Sequence, residues 1–293
     1  MPAFAYPAPV PSSSTLAALG RLVRRHDRDR FLTTLFAPGE RRQDLLALYA
    51  FNYEVARTRE IVTEPMLGRI RLQWWRETLE AIYAGKPPRR HEVAEPLAEA
   101  IGRRQLSAAH FEHILAAREL DLAEEPPATL AALEAYAAES SASLVWLALE
   151  ALDMRGAPAL AAGRSVGIAF ALAGLLRAIP FHARAKRLYL PRDLCDAAGV
   201  RVENDVFAAR SSSALREVVR AVAVAAERHL SEARRERRGV PRRALPALLP
   251  AVLAAADLAR LRRAGYDPFA QGLAAPDTWR PWRLTLAAAM GIY

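Results

Sequence analysis

The chain has 293 residues, of which 52% are hydrophobic, and its formal net charge is +9. These values exclude a disordered tail, because the chain can bury a sizeable core. The single cysteine, Cys195, excludes an internal disulfide framework and a Cys-rich zinc site. Only two of the 41 basic residues are lysine, and no nucleic-acid-binding pattern accompanies the charge, so we expect no nucleic-acid partner.

The composition predicts an all-α fold, because alanine and leucine dominate and only 14 glycines occur. Residues 1–14 form a proline-rich segment without the pattern of a secretory signal, and we expect a flexible lead-in there. Residues 15–293 are then one helical domain, since the segment carries no tandem repeat and no long linker. The longest uncharged apolar run, Ala244 to Ala256, is too short to cross a bilayer, so no transmembrane helix is predicted.

Apolar residues at spacings of three and four mark the predicted helices, and proline or glycine marks most of their ends. The first helix follows a Ser/Thr cluster and ends near Arg25. The later helices are predicted over 40–64, 66–83, 96–122, 130–154, 158–181, 212–238 and 245–264. Short connections between them indicate antiparallel packing of neighbours in sequence.

Three stretches, in this order, carry a resemblance to a known family: RFLTTLFAPGERRQDLLALYAF, LGRIRLQWWRETLEAIYAGKPPRRHEV and VGIAFALAGLLRAIPFHARAKRLYLP. Together they resemble the squalene/phytoene synthase family over roughly Arg25 to Gly239. The resemblance implies an isoprenoid-synthase-type helical bundle with a central cavity. In active members, two Asp-rich motifs on facing helices hold the Mg²⁺ ions that bind and ionise a prenyl diphosphate.

The positions of both Asp-rich motifs have changed in this chain. Alignment on the YAF sequence places the first motif at Ala56, Arg57 and Glu60, and places Tyr53 where the family has a substrate-contacting arginine. The second motif falls on Ala178 and His182. With one carboxylate left, we predict no bound metal and no cofactor, although the active family requires Mg²⁺.

The sequence around the second motif is strongly basic. No Asp or Glu occurs between Asp153 and Asp193, while seven basic residues do: Arg155, Arg164, Arg177, Arg184, Lys186, Arg187 and Arg192. Such a surface repels Mg²⁺ but is suited to a phosphate or a lipid headgroup. Anion binding by these residues therefore remains an open alternative.

Other residue pairs suggest a replacement metal site, but each lacks ligands. Glu60 and Glu64 are spaced i,i+4, and His110 and His113 are spaced i,i+3. We interpret the glutamates as a solvated helix end and the histidines as surface residues, because no further ligand is evident. His182 has no acidic neighbour in sequence and is interpreted as structural.

If the family fold holds, six residues line the central cavity and bind substrate or anion: Tyr49, Phe51, Tyr53, Arg177, Arg187 and Tyr189. The alternative for Tyr49, Phe51, Arg177 and Tyr189 is core filling.

Trp74 and Trp75 cannot share a helix face, so one is expected in the core and the other at an edge. Ser140, Ser141 and Ser143 lack the context of a catalytic serine and are interpreted as close helix-packing residues.

The changed motifs look closest to the branch of the family that contains an assembly factor of respiratory complex I. The resemblance implies a non-catalytic protein that contacts complex I subunits or assembly intermediates and binds, at most, a prenyl or phospholipid ligand. We expect it in the cytoplasm, peripheral to the inner face of the inner membrane, or in the mitochondrial matrix of a eukaryote. The alternatives are a prenyltransferase with atypical metal ligands and a non-reacting lipid binder.

The basic run Arg228 to Arg243 is either a solvated helix end or an anionic-membrane contact.

Overall fold

The structure is a computed structural model that describes residues 13–62, 64–123, 125–275 and 277–293. The expected lead-in lies outside these ranges, apart from the backbone of Ser13 and Ser14, with which the first helix begins. The described residues contain helices and no β-strand. The α-helices are α1 (Ser13–His26), α2 (Arg28–Thr34), α3 (Gly39–Ala56), α4 (Thr58–Ile61), α5 (Pro65–Tyr83), α6 (Ala94–Arg104), α7 (Ala108–Leu120), α8 (Leu130–Ala137), α9 (Ser143–Ala151), α10 (Ala157–Arg177), α11 (Ile179–Arg184), α12 (Arg192–Ala198), α13 (Ser213–Arg235), α14 (Leu245–Leu248), α15 (Pro250–Arg263), α16 (Gln271–Ala274) and α17 (Arg280–Met290).

Helix α10 lies at the centre of the bundle and packs against α9, α13 and α15. By length and composition, α10 is long and apolar enough to cross a membrane. A second such segment exists if Arg242–Leu248 and Pro250–Arg263, which are bent by 46° relative to each other, are counted as one span. Of the apolar window of α10, 61% is buried inside the bundle. A mostly buried core helix of a helical bundle has the same composition, and α10 is in that position.

The helix predicted over 96–122 is in fact two helices, and the reason is tertiary. Gln105 ends α6 in the left-handed conformation, with φ of 50°. The buried Glu150 on α9 then caps α7, because its carboxylate accepts hydrogen bonds from the Ser107 backbone N–H at 2.8 Å and from Ser107 Oγ at 2.5 Å. A cap supplied from a distant helix leaves no local sequence signal.

Other predicted boundaries also shift. The helix predicted over 158–181 ends at Arg177, because Pro180 lies in the first turn of the separate helix α11. The helix predicted over 130–154 contains the π-helical segment Ala138–Ala142 between α8 and α9. The helix predicted over 40–64 ends at Ala56 and is followed by the short α4. Helices α12, α16 and α17 were not expected from the sequence pattern.

The π-helical segment brings α10 very close to its neighbour. A Cβ added to Gly167 on α10 would lie 2.3 Å from Ala142 Cα. Ser140, Ser141 and Ser143, in and next to this segment, are all buried. The interpretation of these serines as close helix-packing residues is therefore confirmed.

Trp74 and Trp75 divide as expected on α5. Trp75 is buried and makes an edge contact with Phe51 at a centroid distance of 5.2 Å. Trp74 is half-buried at the helix edge, where the Arg89 guanidinium lies 5.5 Å from its ring. The core therefore continues from α5 to the YAF segment of α3.

Candidate functional site

The first motif lies at the carboxyl end of α3 and on α4. Ala56 and Arg57 are half-buried there, and Glu60 is exposed. The one buried carboxylate nearby is Glu54, and it forms ion pairs with Arg57 at 2.8 Å and with Arg71 on α5 at 2.5 Å. Two guanidinium groups thus occupy this carboxylate, so it is not free to bind a cation.

The second motif lies where α10 gives way to α11. Ala178 links the two helices, and His182 is half-buried on α11, with its ring 4.5 Å from that of Tyr189. Burial lowers the pKa of His182 to about 4, although the Asp121 carboxylate opposes this change. The imidazole is therefore neutral near pH 7, and neither of the two positions of the second motif, Ala178 and His182, carries a carboxylate.

Arg177, just before the second motif, belongs to a ring of four alternating charges. Its Nη1 lies 3.1 Å from Asp29 Oδ2 and 2.8 Å from Asp257 Oδ2. Arg280 on α17 closes the ring, with one nitrogen 2.6 Å from Asp29 and the other 2.6 Å from Asp257. The ring joins α2, α10, α15 and α17, and two acids already neutralise the Arg177 charge that was expected to bind an anion.

This charge ring borders a pocket with a volume of about 1040 Å³, which we call the charged pocket. The pocket lies between α2, α10, α11, α15 and residues 268–281, and its walls are both charged and apolar. Its lining includes His26, Asp27, Arg28, Leu176, Phe181, Arg184, Phe207, Leu258, Arg260 and Phe269. Of the six residues predicted to line the cavity, one, Arg177, lines this pocket.

The remaining cavity candidates lie elsewhere. Phe51 is fully buried between Trp75 and Phe111, and Tyr49 is 2% exposed, which raises its pKa to about 12. Tyr53 is half-buried and stacks on His26 at a centroid distance of 4.2 Å. Tyr49 and Phe51 thus occupy core positions, and Tyr53 contacts His26, which lines the charged pocket.

Tyr189 belongs to a second, buried polar cluster. Its hydroxyl donates to Asp121 Oδ1 at 3.2 Å, and the Tyr136 hydroxyl donates to the same oxygen at 2.8 Å. Arg118 donates to Asp121 at 3.0 Å and to the Tyr136 hydroxyl at 2.7 Å. Burial raises the pKa of both tyrosines, so both keep their protons near neutral pH. This cluster and Arg187 flank His182, and Arg187 and Tyr189 border a small separate pocket.

The residues at the motif positions do not fit Mg²⁺, which prefers several oxygen ligands in an octahedral arrangement. Within the described ranges, no group of three or more His, Cys, Asp or Glu side chains comes close enough to hold a metal ion. Glu60 is exposed, Glu54 is bound by two arginines, and His182 stands where a carboxylate is needed. We therefore derive no chemical step through a metal.

The sequence did not reveal the partners that define this site: Asp29, Glu54, Asp121, Asp257 and Arg280. Most of their contacts join residues that are far apart in sequence, such as Asp29 and Arg280, which are separated by 251 positions. No local pattern marks such pairs. Covariation between the positions of each pair is the signal that would find them.

Sequence comparison finds two groups of relatives, complex I assembly factors and phytoene synthases. The chain is 34% identical to "NADH dehydrogenase (ubiquinone) complex I, assembly factor 6" of Bos taurus, over 90% of this chain and 78% of that protein. The human protein of the same name is 33% identical, over 90% of this chain and 81% of its own length. A phytoene synthase of Arthrospira platensis is 27% identical, over 63% of each chain.

Two solved structures have the same fold. A squalene synthase of Alicyclobacillus acidocaldarius matches with a TM-score of 0.77 and 23% identity, over 88% of this chain and 98% of that one. A dehydrosqualene synthase matches with a TM-score of 0.82 and 19% identity, over 94% and 96% of the two chains. The expected isoprenoid-synthase-type helical bundle is therefore confirmed. The Squalene/phytoene synthase family model matches residues 23–285, and the chain belongs to that family.

Proposed function

We propose that this chain is a non-catalytic member of the family that acts as an assembly factor for respiratory complex I. One observation supports the proposal: alignment places Ala56, Arg57, Glu60, Ala178 and His182 at the positions that hold Mg²⁺ in active members, and the nearest buried carboxylate is bound by two arginines. The relatives named as complex I assembly factors, similar over 90% of the chain, support the choice of complex.

The geometry supports a binding role better than a chemical one. Ionisation of a prenyl diphosphate requires cations that neutralise the leaving group, and the motif positions supply no ligand set for them. The charge ring and the Asp121 cluster instead lock four helices and two tyrosines in place. A rigid scaffold of this kind is suited to presenting surfaces to complex I subunits or assembly intermediates.

The proposal places the protein at the inner aqueous side of the membrane that holds complex I. This is the cytoplasmic face of the inner membrane in a bacterium and the matrix side in a mitochondrion. The charged pocket, whose walls are both charged and apolar, has room for a prenyl or phospholipid ligand as part of the same role.

The test is the NADH:quinone oxidoreductase activity of membranes from a strain that lacks the protein, normalised to succinate oxidation in the same membranes. We expect a selective loss of NADH oxidation that the wild-type chain restores. Glu60→Gln removes the one carboxylate at a motif position, and we expect this variant to restore activity fully. Equal NADH oxidation with and without the protein would overturn the assembly role.

The competing function is prenyl transfer with atypical metal ligands. Purified protein with farnesyl diphosphate and Mg²⁺ should give no condensed product. Product formation that Glu60→Gln or His182→Gln abolishes would replace the proposal with an enzymatic function.

A further inference from the structure

Helix α17 has apolar residues on two opposite faces. Its inner face packs Leu284 and Ala287 against Leu249 and Leu253. Its outer face, together with the residue that precedes the helix, carries four large apolar side chains that are 48–69% exposed: Trp279, Trp282, Leu286 and Met290. Spacings of three, four and four residues align them in one row, which we call the α17 stripe. Two exposed tryptophans in such a row need an explanation, because burial of large apolar surface is favourable.

The most basic part of the chain follows α13 in sequence, and in the fold it meets the carboxyl end of α17. It contains Arg234, Arg235, Arg237, Arg238, Arg242 and Arg243, which we call the basic end. All six are exposed, and none forms an ion pair with another described residue. Glu236 is the one acid in sequence between Glu232 and Asp257. The basic end is therefore a concentrated and uncompensated positive charge.

Two contacts hold the basic end against α17. The Arg242 guanidinium lies against Gly291, where an added Cβ would be 2.9 Å from Arg242 Nε. The Tyr293 hydroxyl donates to the Ala233 carbonyl at 3.2 Å. These contacts place both ends of the basic stretch, at Ala233 and Arg242, against Tyr293 and Gly291, which follow Met290 of the α17 stripe. Arg283 on α17 is also exposed, but it forms an ion pair with Asp277 at 3.8 Å, so its charge is partly compensated.

From this combination we propose that the α17 stripe and the basic end form a docking surface for an anionic lipid bilayer. Tryptophan is favoured at the level of the headgroups, where its ring meets the acyl region and its N–H stays hydrated. Clustered arginines are attracted to anionic headgroups. Helix α17 then lies in the plane of the bilayer surface and does not cross it.

The charge favours a bilayer over a second copy of the chain. Self-association through this face would bring together two surfaces of the same sign without an acidic counterpart. An anionic bilayer supplies the opposite charge over a broad area. This inference rests on the proposed function for its cellular setting only, because binding to lipid is measured without complex I.

The experiment is co-sedimentation of the purified full-length chain with vesicles. One set contains phosphatidylcholine alone, and the other contains phosphatidylcholine with about 30% phosphatidylglycerol, which supplies anionic headgroups. We expect binding to the anionic vesicles, much weaker binding to the neutral ones, and weakening when salt rises from about 0.1 M to about 0.5 M.

Two variants, each with a matched control, locate the surface. Trp282→Ser with Leu286→Ser removes half of the stripe, and its control is Leu67→Ser with Ile70→Ser, which are 49% and 60% exposed on α5. Arg237→Ser with Arg238→Ser weakens the basic end, and its control is Arg69→Ser with Arg90→Ser. We expect each surface variant to lower the vesicle partition constant about tenfold, and each control to change it less than about twofold.

The outcomes separate this proposal from the assembly role. Equal binding to neutral and anionic vesicles, or surface variants that bind like the wild-type chain, would overturn it. A dimer in sedimentation equilibrium that the stripe variant dissociates would assign the stripe to a second copy and would also overturn it. If lipid binding fails while the deletion strain still loses NADH oxidation, the assembly role stands and the docking surface falls.

Discussion

Arg177 and Arg280 share the same two aspartates, but they differ in exposure. The Arg280 side chain is 12% exposed and that of Arg177 is 44% exposed, while Asp29 and Asp257 are 13% and 9% exposed. Removing a partner from a buried ion pair leaves an uncompensated charge, whereas an exposed partner is replaced by water. The two arginines of the charge ring therefore contribute unequally to stability.

We expect Arg280→Ala to lower the free energy of unfolding by about 3 kcal/mol, and Arg177→Ala by about 1 kcal/mol. Urea unfolding at constant pH and salt measures both changes. Arg263→Ala, at an exposed arginine of α15, is the control and should change stability by less than about 0.5 kcal/mol. Equal losses for Arg177→Ala and Arg280→Ala would contradict the argument from burial.

His182 predicts a pH dependence of stability. Its pKa is about 4 in the folded chain, against an ordinary value near 6.5. Between these values the unfolded chain binds a proton that the folded chain does not, so stability falls as the pH falls from about 6.5 to about 4. We expect His182→Gln to remove about 1–2 kcal/mol of the loss between pH 7 and pH 5. Parallel stability curves for the two proteins would show that the imidazole titrates normally.

At the scale of elements, the contact between α10 and the π-helical segment depends on a missing side chain. At Gly167 a Cβ would meet backbone atoms, Ala142 Cα at 2.3 Å and Ala142 N at 2.6 Å, which cannot move aside as a side chain can. Gly174 lies two turns further along α10 and has nothing within 4 Å of an added Cβ. One helix thus provides a test glycine and its control.

We expect Gly167→Ala to destabilise the fold by about 2–4 kcal/mol, because α10 must shift from its neighbour. Gly174→Ala should instead be neutral or stabilising by up to about 1 kcal/mol, since alanine favours the helix. Thermal and urea unfolding compare the two variants. A Gly167→Ala protein as stable as the Gly174→Ala protein would refute the close approach.

At the scale of the whole molecule, the absence of a fitting carboxylate set predicts indifference to Mg²⁺. We expect neither Mg²⁺ with a non-hydrolysable farnesyl diphosphate analogue nor chelation by EDTA to change the melting temperature. A ligand at 100 times its dissociation constant would stabilise the fold by about 2.7 kcal/mol, which a thermal scan detects readily. A Mg²⁺-dependent rise that Glu60→Gln removes would indicate a working metal site.

The sequence alone determined the helical class, most helix positions and the family. Apolar spacing of three and four residues, with proline and glycine at the ends, is a local property, so α1, α5 and α13 were predictable within a few residues. The adjoining family sequences also predicted that Ala56, Arg57, Ala178 and His182 stand at the positions of family aspartates.

The tertiary structure decided which charges meet. The stretch from Met154 to Arg192 contains no acid, and in sequence it looks like an unpaired cationic wall. In the fold, Arg177 meets Asp29 and Asp257, Lys186 meets Glu203, and Arg192 meets Glu125. It also decided that Glu150 caps a second helix within the range 96–122, and that the basic end meets the carboxyl end of α17. Ion pairs, caps and surface patches join residues that are close in space but far apart in sequence, and local periodicity carries no information about such distances.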